Sequence, residues 1–128
     1  MHVVVDASAI AAVLLLEPEG ATIRAHCEGE TLLAPHLLDY ELANVVRTRM
    51  RKYPDDELAA TVLSHGLPAL NIQRVSARPA EIVALSLRTG LTASDAAYLW
   101  LAIDRDAELV TLDRELAKAD RLLRGDPA

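Results

Sequence analysis

The sequence predicts an α/β fold built on a parallel sheet, and three observations carry that expectation. Val3-Val4-Val5 is a β-branched run without polar alternation, as in a strand buried on both faces. Short apolar runs of this kind alternate with longer stretches of helical periodicity, an order that produces crossover connections and parallel pairing. An aspartate closes the first such run and another the last, Asp6 and Asp113. That is the edge at which open α/β sheets bind ligands.

Taken in order, Val3 to Val5 forms the first strand and Ala9 to Leu16 an apolar helix that Asp6 or Ser8 can cap. Glu17-Pro18-Glu19-Gly20 is a break, Ala21 to Glu28 a short helix and Gly29 its end. Thr31 to Ala34, short and followed by Pro35, is a second strand. A long helix covers His36 to Tyr53, with Leu38, Leu42, Val45, Val46, Met50 and Tyr53 recurring on one side, and Pro54 stops it. Asp55-Asp56-Glu57 supplies an acidic first turn for a helix to Ser64, ended by Gly66 and Pro68. Leu70 to Val75 alternates weakly, as a third strand would. Pro79 opens a helix over Ala80 to Arg88, closed by Gly90. Ser94 to Asp104 is helical and apolar almost all round, so it is either buried or part of a subunit contact. Glu108 to Leu112 is the last strand, Asp113 ends it, and Arg114 to Leu123 is an amphipathic helix before a short polar tail containing Arg124-Gly125-Asp126.

Composition sets bounds on function. The 128 residues suit one domain, and with aromatics at 3% and no Phe, the core must be made of Leu, Val, Ile and Ala. A single cysteine, Cys27, leaves no internal disulfide and fits a reducing cytoplasm. The apolar stretch from Ala7 to Leu16 lacks a basic leader and is about half the ~20 residues a membrane helix needs, so neither a signal peptide nor an anchor is expected. A formal charge of −6 argues against holding nucleic acid by global electrostatics, but not against a nuclease whose acids a metal neutralises. Arg47, Arg49, Arg51 and Lys52 cluster at the end of the long helix, either contacting phosphate or forming a solvated helix end.

The acids carry the chemistry. Asp6 and Asp113 each stand between an apolar strand and a helix, and they can meet only if their strands lie side by side or nearly so. Asp95 is in the first turn of the helix before the last strand, where Thr92-Ala93-Ser94-Asp95 also fits a capping box. On the long helix, Glu41 lies at the edge of the apolar stripe and Asp39 closer to it, so helix geometry selects neither. Carboxylates sharing one crevice repel and raise each other's pKa unless a cation joins them. Their hard oxygens suit Mg²⁺ or Mn²⁺, and the chemistry implied is metal-assisted phosphodiester hydrolysis.

Val3-Val4-Val5-Asp6-Ala7-Ser8, Ala34-Pro35 leading to Tyr40-Glu41-Leu42-Ala43-Asn44, Leu91-Thr92-Ala93-Ser94-Asp95-Ala96-Ala97-Tyr98 and Leu109-Val110-Thr111-Leu112-Asp113 together resemble the motifs of PIN-domain ribonucleases. Size and the helical middle resemble the VapC-type toxins of toxin-antitoxin pairs. The resemblance covers nearly the whole chain and implies a three-layer α/β/α sandwich with a mostly parallel sheet of about four or five strands. It also implies a Mg²⁺- or Mn²⁺-dependent endoribonuclease with Asp6, Glu41, Asp95 and Asp113 as the acidic cluster. It is the family pattern that picks Glu41. Ser8 and Thr111 match hydroxyl positions that support the acids, and Arg47 and Arg51 share a helix face continuous with Glu41, suited to RNA. A homodimer and a cognate antitoxin that inserts a segment into the groove are further implications.

Rival readings lack their residues. A phosphoacceptor receiver domain needs a second acid beside the first strand motif and a lysine after a late strand, whereas Lys52 and Lys118 both fall on helical stretches. A haloacid-dehalogenase-type phosphatase needs two aspartates two residues apart, and Asp6 is followed by Ala7 and Ser8. His2, His26, His36 and His65 show no zinc-ligand spacing with each other or with Cys27, and no Gly-x-Ser-x-Gly elbow is present. A non-catalytic module binding a protein through apolar helices remains the alternative from another class.

Overall fold

In the computed structural model, residues 1–125 are described. The Arg124-Gly125-Asp126 reading therefore ends at Asp126, outside the described residues. The strand β1 (His2–Val5) leads through α1 (Ala7–Leu14) and α2 (Gly20–Cys27) to β2 (Thr31–Pro35), α3 (Leu37–Lys52) and α4 (Glu57–Thr61). A π-helical turn (Val62–Gly66) and α5 (Leu67–Ala69) then precede β3 (Gln73–Val75), α6 (Pro79–Thr89), α7 (Ala93–Asp104), β4 (Glu108–Val110) and α8 (Arg114–Arg124).

Four strands form one parallel sheet in the order β3-β2-β1-β4. The class and the strand count are those the sequence implied. Strand side chains alternate between faces. Val3 and Val5 accordingly join a core with Ile10, Ile23, Leu38, Leu42 and Val62, while Val4 and Leu33 join another with Ile82, Leu99, Leu101 and Leu116. This is the three-layer arrangement, with α1 to α4 on one face and α6 to α8 on the other. The chain builds outward from β1 to β2 and β3, then returns to β1's other side as β4. The β1–β4 pair is therefore the topological switch point, the place where open parallel sheets bind ligands at their carboxyl edge.

Several boundaries differ from the sequence expectation for local physical reasons. Gly20 is inside α2 rather than in a break: a Cβ there would lie 2.2 Å from the Ala12 carbonyl oxygen, so the glycine permits the close approach of α2 to α1. Gly66 and Pro68 do not end the helical run. The chain passes through Gly66 as a π turn, and Pro68 sits in the first turn of α5, where its missing N–H has no helical partner to lose. Pro35 belongs to β2 but lies past the last β1 pair, Val4 with Leu33. The α3 stripe is narrower than its spacing suggests: Leu38, Leu42 and Val46 are buried, whereas Val45, Met50 and Tyr53 are exposed. Periodicity shows which side is apolar, and tertiary packing decides how much of it is covered. The third strand keeps only Gln73–Val75 of the expected stretch.

The most consequential correction concerns β4, which stops at Val110 and not at Leu112. Asp113 consequently stands beyond the strand, as the N-cap of α8. Helix α7 is buried from Ala96 to Ala102 within its own chain, packing on β1, β2, α6 and α8.

Candidate active site

Asp6 sits where β1 ends, with its backbone N–H bonded to the Val110 carbonyl at 3.3 Å. It is 5% exposed, and among the described residues no other charged side chain is buried. Burial alone would make an ionised carboxylate costly, so its oxygens need donors. Oδ1 accepts from the Ser8 hydroxyl at 2.8 Å and from the Ala9 N–H at 3.0 Å, and Oδ2 accepts from the Thr111 hydroxyl at 2.5 Å. The Ala9 bond is the N-cap of α1, so capping and candidate function coexist in one side chain.

Each hydroxyl also accepts. The Leu112 N–H donates to Ser8 Oγ at 2.9 Å and the Asp113 N–H to Thr111 Oγ1 at 3.0 Å. With both protons given to Asp6, the 3.4 Å approach of the two hydroxyls is a packing contact and not a hydrogen bond. Residues 111–113 leave the sheet because these bonds replace the strand ladder, and the same bonds hold the Asp113 backbone beside Asp6. The Asp113 carboxylate accepts from the Leu116 N–H at 3.0 Å, capping α8.

Asp95 stands in the first turn of α7, where Thr92 Oγ1 accepts the Asp95 N–H at 3.2 Å. Glu41, on α3, accepts from the Tyr98 hydroxyl at 2.6 Å. Asp39, the other acid in contention on that helix, is committed elsewhere: Arg74 holds it with a bidentate pair at 2.8 and 3.0 Å. That guanidinium keeps the Asp39 carboxyl below its ordinary range, more than offsetting partial burial.

The electrostatics link the four acids pairwise. Burial, and then the charge of Asp113, push Asp6 up, against hydrogen bonds from Thr111, Ala9 and Ser8. Burial raises Glu41, helped by Asp95 and Asp6 and opposed by the Tyr98 bond. Burial and Asp113 raise Asp95, opposed by Thr92. Among the described residues, the principal groups acting on these three include no basic side chain. The donor set is all hard carboxylate, short of positive charge, and so fits a divalent cation in chemistry. Among the described residues no three His, Cys, Asp or Glu side chains are arranged to hold an ion directly.

Arg47 and Arg51 are exposed on α3 beside Ala43, Val46 and Met50. Arg49, by contrast, is tied to Asp56 at 2.9 Å, and Lys52 lies 5.4 Å from the Tyr53 ring centre. The basic cluster thus divides into a paired side and an open side. Tyr98 closes the Asp95 motif and lies in the apolar helix, but sequence pattern gives it no role at the site. A signal for it is present all the same: a tyrosine in a buried stretch needs a partner for its hydroxyl, and it lies three residues past Asp95.

A family model for the PIN domain matches residues 3–122. The chain belongs to the PIN domain family. Its relatives are of the VapC type. It is 30% identical over 117 residues to Ribonuclease VapC12 of Mycobacterium tuberculosis, covering 91% of both chains. It is 35% identical over 123 residues to Ribonuclease VapC3 of Pyrobaculum aerophilum, covering 92% of this chain and 94% of that one. The crystal structure of PAE2754 from Pyrobaculum aerophilum superposes with a TM-score of 0.71 at 27% identity, covering 99% of this chain and 91% of the other. Among the described residues no helix is long and apolar enough to cross a membrane.

Proposed function

We propose that this protein is a Mg²⁺- or Mn²⁺-dependent endoribonuclease, the toxin of a toxin-antitoxin pair, in which the cluster of Asp6, Glu41, Asp95 and Asp113 binds the ion, one or two carboxylates directly and the others through its waters. The observation that carries the reading is the placement of four carboxylates from four elements beside the β1–β4 switch point, near enough for their charges to raise one another's pKa. The names of the VapC relatives supply the reaction class, RNA cleavage. A bound divalent ion supplies charge neutralisation and Lewis-acid polarisation of a phosphoryl group.

The chain's own residues do the positioning. Ser8, Thr111 and the Ala9 N–H keep both Asp6 oxygens in place, and the same two hydroxyls pin the backbone that carries Asp113. Arg47 and Arg51 offer cations to RNA phosphates on the open side of α3, where the acidic body of the protein would otherwise repel them. The protein acts in the cytoplasm as a homodimer, with a cognate antitoxin covering the acidic crevice.

Incubation of the purified protein with total RNA tests the core of this reading. Cleavage is expected with Mg²⁺ or Mn²⁺, none in EDTA, and none with Asp6→Asn. Cleavage that persists in EDTA, or in a folded Asp6→Asn protein, contradicts it.

A further inference from the structure

The Tyr98 hydroxyl occupies a singular place. It is on a side chain 1% exposed, one helical turn past Asp95, and it donates to Glu41 Oε1 at 2.6 Å. A phenol has a single proton, and here it is given to Glu41. One hydroxyl therefore connects the helix that carries Asp95 to the helix that carries Glu41.

We propose that Tyr98 is a positioning residue for the acidic cluster: by fixing Glu41 Oε1 it holds that carboxylate in one rotamer and thereby sets the affinity of the cluster for a divalent cation. This rests on reading the acids as a metal site. A half-buried glutamate without a fixed partner samples several rotamers, and ordering it upon binding opposes the binding. Glu41 accepts no other hydrogen bond among the described residues, so Tyr98 is what orders it beforehand. The competing view is that Glu41 merely satisfies a buried hydroxyl. In that view Tyr98 matters to packing and not to the ion.

Mn²⁺ titration calorimetry on wild type, Tyr98→Phe, Glu41→Gln and the double variant separates the two views. Partners that orient metal ligands typically contribute about 10- to 100-fold in affinity, so Tyr98→Phe should weaken Mn²⁺ binding by about 10-fold or more. In the Glu41→Gln background the same change should add nothing. Wild type that binds Mn²⁺ while Tyr98→Phe binds equally well overturns the proposal and leaves the metal site standing, as does an equal loss in both backgrounds. Wild type that binds no Mn²⁺ overturns both readings. Should Tyr98→Phe fail to fold, wild type labelled at the tyrosine ring carbons gives the answer in a Mg²⁺ titration. The Tyr98 signal should move while those of the exposed Tyr40 and Tyr53 stay. A Tyr98 signal unmoved at saturation overturns the proposal.

Discussion

Thr111 donates its hydroxyl to Asp6 Oδ2 across 105 positions of sequence, while its oxygen accepts the Asp113 N–H. A single hydroxyl thus ties together two acids that cap different helices. Ser8 does the same from the other side, bonding Asp6 and accepting the Leu112 N–H.

Both hydroxyls should therefore matter to stability as well as to the site. Thr111→Val leaves the Asp113 N–H and Asp6 Oδ2 without a partner, and Ser8→Ala leaves the Leu112 N–H without one and Asp6 Oδ1 with the Ala9 N–H alone; each is expected to lose ~1–3 kcal/mol by urea denaturation, Ser8→Ala the less. Because both act on one carboxylate, the double variant should lose less than the sum, by ~0.5 kcal/mol or more. Strict additivity would mean that the two bonds are independent.

Asp6→Asn balances opposing effects in the metal-free protein. Removing a charge that burial and Asp113 disfavour is stabilising, but the Asn amide nitrogen cannot accept from Thr111. The melting free energy in EDTA should change by no more than ~1 kcal/mol. Saturating Mg²⁺ or Mn²⁺, about 100 times its Kd, should stabilise wild type by ~2.7 kcal/mol and the variant much less. Equal shifts in both proteins would remove Asp6 from the metal site.

The same carboxylate fixes a pH dependence. Its folded pKa is raised above the ordinary 3.8, so it contributes stability that is fully present below 3.8 and lost as pH rises through the folded value. Glu41 and Asp95 act in the same sense, and Asp39 and Asp56, whose values are lowered, in the opposite one. Subtracting the Asp6→Asn curve isolates Asp6. In EDTA the difference, wild type minus variant, should fall as pH rises from 3.8 and then level off. A difference that rises over that interval contradicts the burial argument.

Asp39 and Glu41 should separate cleanly. Asp39→Asn loses the Arg74 pair, partly exposed and so worth about 0.5–1 kcal/mol, and should leave Mn²⁺ affinity and RNA cleavage intact. Glu41→Gln should do the reverse. Swapped phenotypes would show that the wrong acid has been assigned.

Arg47→Ala with Arg51→Ala should weaken RNA binding across sequences and lower the salt dependence by roughly one unit of slope for each phosphate no longer neutralised. Arg49→Ala is the control, since Asp56 already holds that guanidinium. Filter binding over a range of salt concentrations measures both. An unchanged slope in the double variant would mean that these cations face solvent alone.

Much of this was legible in the sequence because it depends on local pattern. Val3-Val4-Val5 without alternation required a strand covered on both faces, and the order of runs required parallel pairing. The motifs around Asp6, Glu41, Asp95 and Asp113 named the candidate acids by resemblance. Tertiary structure alone decided the rest, because the interactions involved join residues far apart in the chain. Helical periodicity left Asp39 and Glu41 equivalent; Arg74, 35 positions after Asp39, and Tyr98, 57 after Glu41, gave them different partners. The run from Glu108 to Leu112 read as one strand, yet Ser8 and Asp6 draw Thr111 and Leu112 out of the ladder and set Asp113 at the start of a helix. Sequence pattern determines which side chains are apolar and which are acids; only the long-range hydrogen bonds give Asp39 and Glu41 their different partners and tie Asp6 to the segment that carries Asp113.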